Sequence, residues 1–332
     1  MAITGRENFK RFLNKEKPEY IGLRSDCMNF CPRMYPENIV RAFVMEKEKY
    51  DGPVGGKDMF GVEWEYIPSA GGSMVKPGNP MLEDLDGWQD KVVFPDIEAW
   101  DWEGSAAENN QWLEESGKFV QFWIFNGLFE RMIAFLDFEN AAMALIDEEQ
   151  EEDVHSFLDA MADFYCKIIR KVAKHFPAVD CIYFHDDWGA QRAPFFSIDT
   201  NREMIAPHLK KIVDCCHELG LYFDLHSCGK TEAMAPVMIE CGIDMWCGQP
   251  LNDKYNLIKT VGDQIFIGMH EPFSGPGARP VPESDEEMYA IINEYLAPVK
   301  DTVLEKPFYV ANMMPIPRVI EAYKKITSEW FK

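Results

Sequence analysis

No run of about 18 consecutive apolar residues occurs in this 332-residue chain, so no membrane-spanning helix is written into it. The first residues, MAITGRENFKRFLN, lack the apolar centre of a secretory leader, and the expected compartment is cytoplasmic. Basic side chains are scarce. The 33 Lys and Arg against 56 Asp and Glu leave a net charge of -23, which repels nucleic acid phosphates and anionic membrane surfaces. The nine cysteines are odd in number and widely scattered, which excludes a small disulfide scaffold and predicts free thiols. Cys27 with Cys31, and Cys215 with Cys216, complete neither a zinc finger nor a redox CxxC, and read as structural thiols. GxGxxG and P-loop signatures are missing too, which weakens the case for an open nucleotide-binding sheet.

Apolar residues, by contrast, are plentiful. At 47% hydrophobic and 13% aromatic the chain fills a large core, and its length suits one α/β barrel spanning 1–332 as a single domain. Thr4 and Glu7 have capping-box spacing ahead of Phe9, Phe12 and Leu13, which predicts a helix before a first strand at Tyr20 to Met28. Residues 50–118, rich in Gly, Pro, Trp and Asp, read as loops and short strands at the rim. Then FVQFWIF, CIYFHDD, LYFDLHS, IDMWCGQ, IFIGMHE and PFYVANM recur as short apolar runs between helical segments, about seven strands in all. One of those segments carries Val154, Phe157, Leu158, Met161, Tyr165, Ile168 and Val172 at helical spacing. Thr200 with Glu203 and Ser284 with Glu287 offer further caps. The acidic run Asp147 to Asp153 falls where the long helix begins, where negative charge suits the dipole. Strands alternating with helices imply a parallel sheet.

Chemistry gathers at the carboxyl ends of three of these strands, the end that faces the active site of an α/β barrel. His185, Asp186 and Asp187 end one, His226 and Cys228 the next, and His270 and Glu271 a third. Residues i and i+2 of a strand share a side, so His226 and Cys228 offer nitrogen and sulfur to one ion, a pairing that favours zinc. Glu271 is the expected third ligand, with Cys247 as its competitor. Gly229 lets the chain turn sharply after the pair. Adjacent aspartates face opposite sides, so one of Asp186 and Asp187 points inward as an acid or substrate anchor. Trp123, Phe125, His185, Trp188 and His270 are expected around a ligand, with Phe129, Phe195 and Phe196 as further candidates for an apolar wall. Met313 and Met314 read as gap fillers.

Taken together, TGRENFKRFLN, DMFGVEW (58–64), HDDWG (185–189), HSCG (226–229) and GDQIFIGMHE resemble the uroporphyrinogen decarboxylase superfamily over nearly the whole chain. The resemblance implies a TIM barrel. GLRSDCMNFCPRMYPEN does not match the arginine-rich segment that grips porphyrin carboxylates, and so strong a negative charge suits a many-carboxylate substrate poorly. The HxCG motif instead resembles the corrinoid-dependent methyltransferase branch, in which this His and Cys bind zinc; His226 and Cys228 match. Thiol-methylating members carry a further cysteine some 75 residues on, but here none follows Cys247 and the matching region is ANMMP (311–315). The resemblance therefore implies the O-demethylase kind, which passes a methyl group from an aromatic methyl ether to cobalamin on a separate corrinoid protein. In that resemblance the corrinoid comes on the partner and not on this chain. Methylcorrinoid:thiol methyl transfer, a decarboxylase-like lyase and a non-catalytic binding protein are the alternatives. A homodimer is the default assembly.

Overall fold

The computed structural model describes residues 3–69, 71–274, 277–311 and 316–332. Eleven strands are present among them: β1 (Gly22–Leu23), β2 (Cys27–Phe30), β3 (Gly56–Lys57), β4 (Glu63–Ile67), β5 (Gly72–Val75), β6 (Phe119–Ile124), β7 (Val179–His185), β8 (Tyr222–His226), β9 (Met245–Trp246), β10 (Phe266–His270) and β11 (Phe308–Ala311). Eight of them form one parallel sheet in the order β1-β11-β10-β9-β8-β7-β6-β2, surrounded by helices. The two end strands are successive in the chain. Only a turn of 3-10 helix, Arg24–Asp26, separates them, so the expected strand at Tyr20 to Met28 is split in two. Its first half pairs high on β11 (Leu23 with Val310) and its second low on β6 (Cys27 with Phe119), the stagger that a tilted closed barrel requires. The architecture is an α/β TIM barrel.

The other six expected strands all form, because buried parallel strands read as short continuous apolar runs. Residues 50–118 hold the expected short strands and, beyond them, a helix. They carry the antiparallel sheet β3-β4-β5 and a helix, Trp102–Glu115, whose few buried positions gave no clear apolar stripe. Thr4 and Ser284 cap their helices as expected, accepting from the backbone N–H of Glu7 and Glu287. Thr200 does not: Ser197 caps that region, and a π-turn at Asn201–Ile205 leads into the helix Ala206–Glu218. Glu151–His175 is helical, with its seven expected apolar positions buried. Met313 and Met314 lie outside the described residues.

Two features fix the elements that carry the site. The helix Gly5–Leu13 packs under the amino ends of the strands, with Phe9 against Phe119, Phe266 and Tyr309. Arg131, on the helix Leu128–Ala144, is fully buried between the equally buried carboxylates of Glu37 and Asp58, with its Nη1 2.7 Å from Asp58. Asp58 also accepts from the backbone N–H of Phe60 and Val62 and from Trp64 Nε1. The DMFGVEW segment is therefore a polar clasp that locks this helix to the rim, since a buried charge persists only when fully paired. Among the described residues no helix is long and apolar enough to cross a membrane.

Candidate metal centre

The ends of β7 and β8 are in register, with His185 beside His226. Two-residue periodicity then sends His185, Asp187, His226 and Cys228 to one side, and a ligand atom from each lies within 4.8 Å of the other three. The loops beyond the strands hold this together: Cys228 N–H donates to Asp187 Oδ1 at 2.7 Å, and Trp188 N–H to Ser227 Oγ at 2.9 Å. Gly229 has φ +84, and a Cβ there would meet the Gly189 carbonyl carbon at 2.2 Å, so only glycine lets the two loops touch.

Both imidazoles are oriented by their outer nitrogen. His226 Nδ1 donates to the Cys247 carbonyl at 2.5 Å, and His185 Nδ1 is paired with Glu130 Oε2 at 2.7 Å. Each ring therefore turns Nε2 inward, His226 to 3.5 Å from Cys228 Sγ and His185 to 3.8 Å from Asp187 Oδ1. A histidine held through one nitrogen by a carbonyl or carboxylate, with the other free, is the arrangement of a metal ligand. Two imidazole nitrogens, a thiolate and a carboxylate fit a tetrahedral zinc ion.

Burial opposes a charge on His185, but Glu130 outweighs it and holds that ring well above its ordinary value, so a cation entering here displaces a proton from His185. Burial raises the Cys228 thiol above its ordinary range while the adjacent His185 pulls it back down. Burial also opposes the Asp187 charge, but the neighbouring His185 outweighs it and holds that carboxyl below the usual value. His226 is pushed down to about 3, by burial first and then by His185, so it is a neutral imidazole able to donate a lone pair.

Several expected residues stand elsewhere. Glu271 is not in the cluster: β9 separates β10 from β8, whereas β7 adjoins β8, so the groups brought beside His226 and Cys228 are His185 and Asp187. Glu271 is buried instead near Ser274, and burial raises its carboxyl. Cys247 contributes its carbonyl to His226 and lines the adjoining cavity. Asp186 points away from the cluster and caps the helix Leu128–Ala144, accepting from the N–H of Phe129 and Glu130 at 3.2 and 2.9 Å. A Cβ at Gly127 would lie 2.4 Å from Asp186 Cβ, which is why the helix starts on glycine. Burial, with Glu130 nearby, pushes Asp186 up to about 7. Trp188 is fully buried, bonding Asp186 through Nε1 at 2.9 Å, and does not line the cavity.

A cavity of about 1250 Å³ opens beside His226, and Arg24, Trp123, Tyr183, Cys247 and His270 are among its walls. Trp123 and Tyr183 stack at 4.0 Å and 13°. Phe125 lies behind them, 5.7 Å from the His185 ring and 4.9 Å from Phe43. Phe129 is core, with Phe195 and Phe196 packed on it. Burial, with Lys254 second, lowers His270 to about 4. Glu130, Tyr183 and Arg24 escaped the sequence reading. Tyr183 was reachable by stepping two residues back from His185, whereas Glu130 arrives from a helix 55 positions away.

No protein-family model matches the chain, and no curated protein matches it. Among solved structures, a methyltransferase from Methanosarcina mazei superposes with a TM-score of 0.65 at 15% identity, covering 98% of this chain and 99% of that one. At that identity the likeness shows the fold. A 3-keto-D-glucoside 4-epimerase from E. coli is more distant, with a TM-score of 0.38, 13% identity and 77% and 96% of the two chains covered.

Proposed function

We propose that this protein is a zinc-dependent methyltransferase that takes the methyl group of an aromatic methyl ether and delivers it to the cob(I)alamin of a separate corrinoid protein. The observation that carries this reading is the convergence of His185, Asp187, His226 and Cys228 beside an aromatic-walled cavity. The methyltransferase name of the superposing Methanosarcina mazei structure and the HSCG resemblance support it.

Zinc bound by these four residues would supply a Lewis acid that steadies the phenolate oxygen as the methyl group leaves. The chain's own contribution is positional. Trp123 and Tyr183 offer a flat stack for an aromatic ring, and the Tyr183 centroid is 6.0 Å from that of His226. Glu130 and the Cys247 carbonyl fix the two imidazoles so that neither rotates away when the ether oxygen approaches. Asp187 holds the Cys228 backbone and shares its negative charge with the site, whereas Asp186 has no part in proton transfer because its oxygens are spent on the helix cap.

Elemental analysis of the purified protein tests the reading first, with about one zinc per chain expected. Methoxylated aromatics with cob(I)alamin should then give methylcobalamin, followed by the loss of cob(I) absorbance. His226→Ala, Cys228→Ser and Asp187→Asn should abolish both zinc and turnover. A metal-free protein that gains no affinity on zinc addition would overturn the proposal and return the lyase and binding-protein readings.

A further inference from the structure

We infer that small ligands reach the metal cluster through a side passage in the barrel wall, along the seam between β1 and β2, which leaves the rim free for the corrinoid partner. The inference rests on the reading above for the occupant of the rim, and on the cavity alone for the passage.

Among the described residues β1 pairs with β11 and β2 with β6, and no backbone pairing joins β1 to β2. The turn Arg24–Asp26 spans that seam, and all three of its residues line the cavity beside His226. The same cavity continues past them to Gly5, Ser116, Gly117 and Lys118. Lys118 directly precedes β6, and Gly5 opens the helix beneath the amino ends of the strands, so this end lies opposite the rim. At the rim the lining includes Gln191 and Pro250. Both of these residues and Lys118 are exposed, so the cavity meets solvent at either end. Its volume of about 1250 Å³ exceeds the roughly 300–1,000 Å³ of an ordinary small-molecule pocket. A passage joined to a binding chamber accounts for the excess.

The composition of the seam favours an open path. Gly5, Ser25, Ser116 and Gly117 bring little side chain to fill it. Arg24 Nη1, Ser25 Oγ and Asp26 Oδ2 are buried polar atoms on three successive residues, and none has a hydrogen-bond partner in the protein. An unsatisfied buried polar group is costly, so all three gain when water or a polar ligand group enters the seam. Across it, Lys324 Nζ stands 3.7 Å from Asp26 Oδ1, a long and partly exposed ion pair that parts at little cost. Inward of the turn, the guanidinium carbon of Arg24 lies 5.7 and 6.0 Å from the ring centroids of Tyr183 and Trp123. The passage therefore leads onto the aromatic stack, whose Tyr183 ring is tilted only 20° from that of His226. A ligand arriving this way meets the stack before the metal cluster and never crosses the rim.

Exchange of 4-fluoroanisole between solution and the purified protein, followed by fluorine NMR line shape, tests this. Leu251→Trp fills the rim end of the cavity and Ser25→Phe fills the seam. Leu251→Trp alone is expected to exchange at close to the wild-type rate, because the seam stays open. Adding Ser25→Phe should slow exchange at least tenfold while the equilibrium affinity holds, since a blocked path slows entry and exit alike. A rim variant that by itself stops exchange, a double variant that exchanges as fast as Leu251→Trp, or a protein that takes up no 4-fluoroanisole would overturn the inference. Should Ser25→Phe fail to fold, Ile320→Trp on the helix Pro317–Ser328 fills the same passage from its other wall. Neither zinc nor methyl transfer enters the measurement, so a metal-free protein with the expected exchange pattern overturns the methyltransferase reading alone. A working demethylase whose exchange stops with Leu251→Trp overturns the seam passage alone.

Discussion

His185 and His226 are register partners on adjacent parallel strands, with imidazole centroids 4.9 Å apart and planes 29° from parallel. That pairing makes a His-x-Asp and a His-x-Cys into one four-donor cluster, and it predicts which substitutions remove metal. His185→Ala should lower zinc content as severely as His226→Ala, whereas Glu271→Ala should leave it near wild type. Elemental analysis of the three proteins separates a β7–β8 centre from one completed by β10. Zinc affinity should also rise with pH, because binding must displace the Cys228 proton that burial retains.

Glu130 touches no ligand position itself, yet it holds His185 through Nδ1, with Arg41 3.6 Å from its other oxygen. Glu130→Gln keeps the shape but weakens the carboxylate grip on the ring. Competition with a chelator should show zinc affinity reduced by about 10- to 100-fold, the usual effect of removing a partner behind a metal-bound histidine. The melting temperature should move little by comparison.

Asp186 is expected to matter for stability and not for metal. Asp186→Ala removes the cap of the helix Leu128–Ala144 and strands the buried Trp188 Nε1, which together cost about 1–3 kcal/mol. Urea denaturation should register that loss in a protein that still carries zinc. A zinc-free Asp186→Ala with wild-type stability would contradict the capping role.

Asp224 predicts a pH dependence. Its carboxyl stands at about 7 in the folded protein, above the ordinary value of about 3.9 in an unfolded chain, so the folded state holds the proton over that window. Stability from this group is therefore greatest at low pH and declines as pH rises from about 4 to about 7. Asp224→Asn, which keeps an acceptor for Gln121, should flatten the decline and gain on the order of 1 kcal/mol at pH 8. Urea midpoints at pH 5 and pH 8 provide the comparison.

Much of this was legible in the chain. The apolar runs marked the strands because a buried parallel strand has no polar face to interrupt it, and the caps at Thr4 and Ser284 are local, acting over three residues. His226 and Cys228 were legible as a pair because strand parity is a property of the sequence. The helix Trp102–Glu115 was hidden, since only a few of its residues are buried and its periodicity is correspondingly faint. So was the clasp of Arg131 with Glu37 and Asp58, whose members come from three distant segments.

What the sequence determined by itself was the alternation of strand and helix, the barrel it implies, and a nitrogen and sulfur donor on one strand end. The tertiary structure decided the rest of the site. Which strand lies beside β8, and in what register, is set by the closure of the whole sheet, so only the folded barrel could bring His185 and Asp187, and not Glu271, beside His226. The same closure turns Asp186 outward onto a helix end and leaves Arg24 facing the cavity, because side-chain direction follows from backbone geometry and not from residue type.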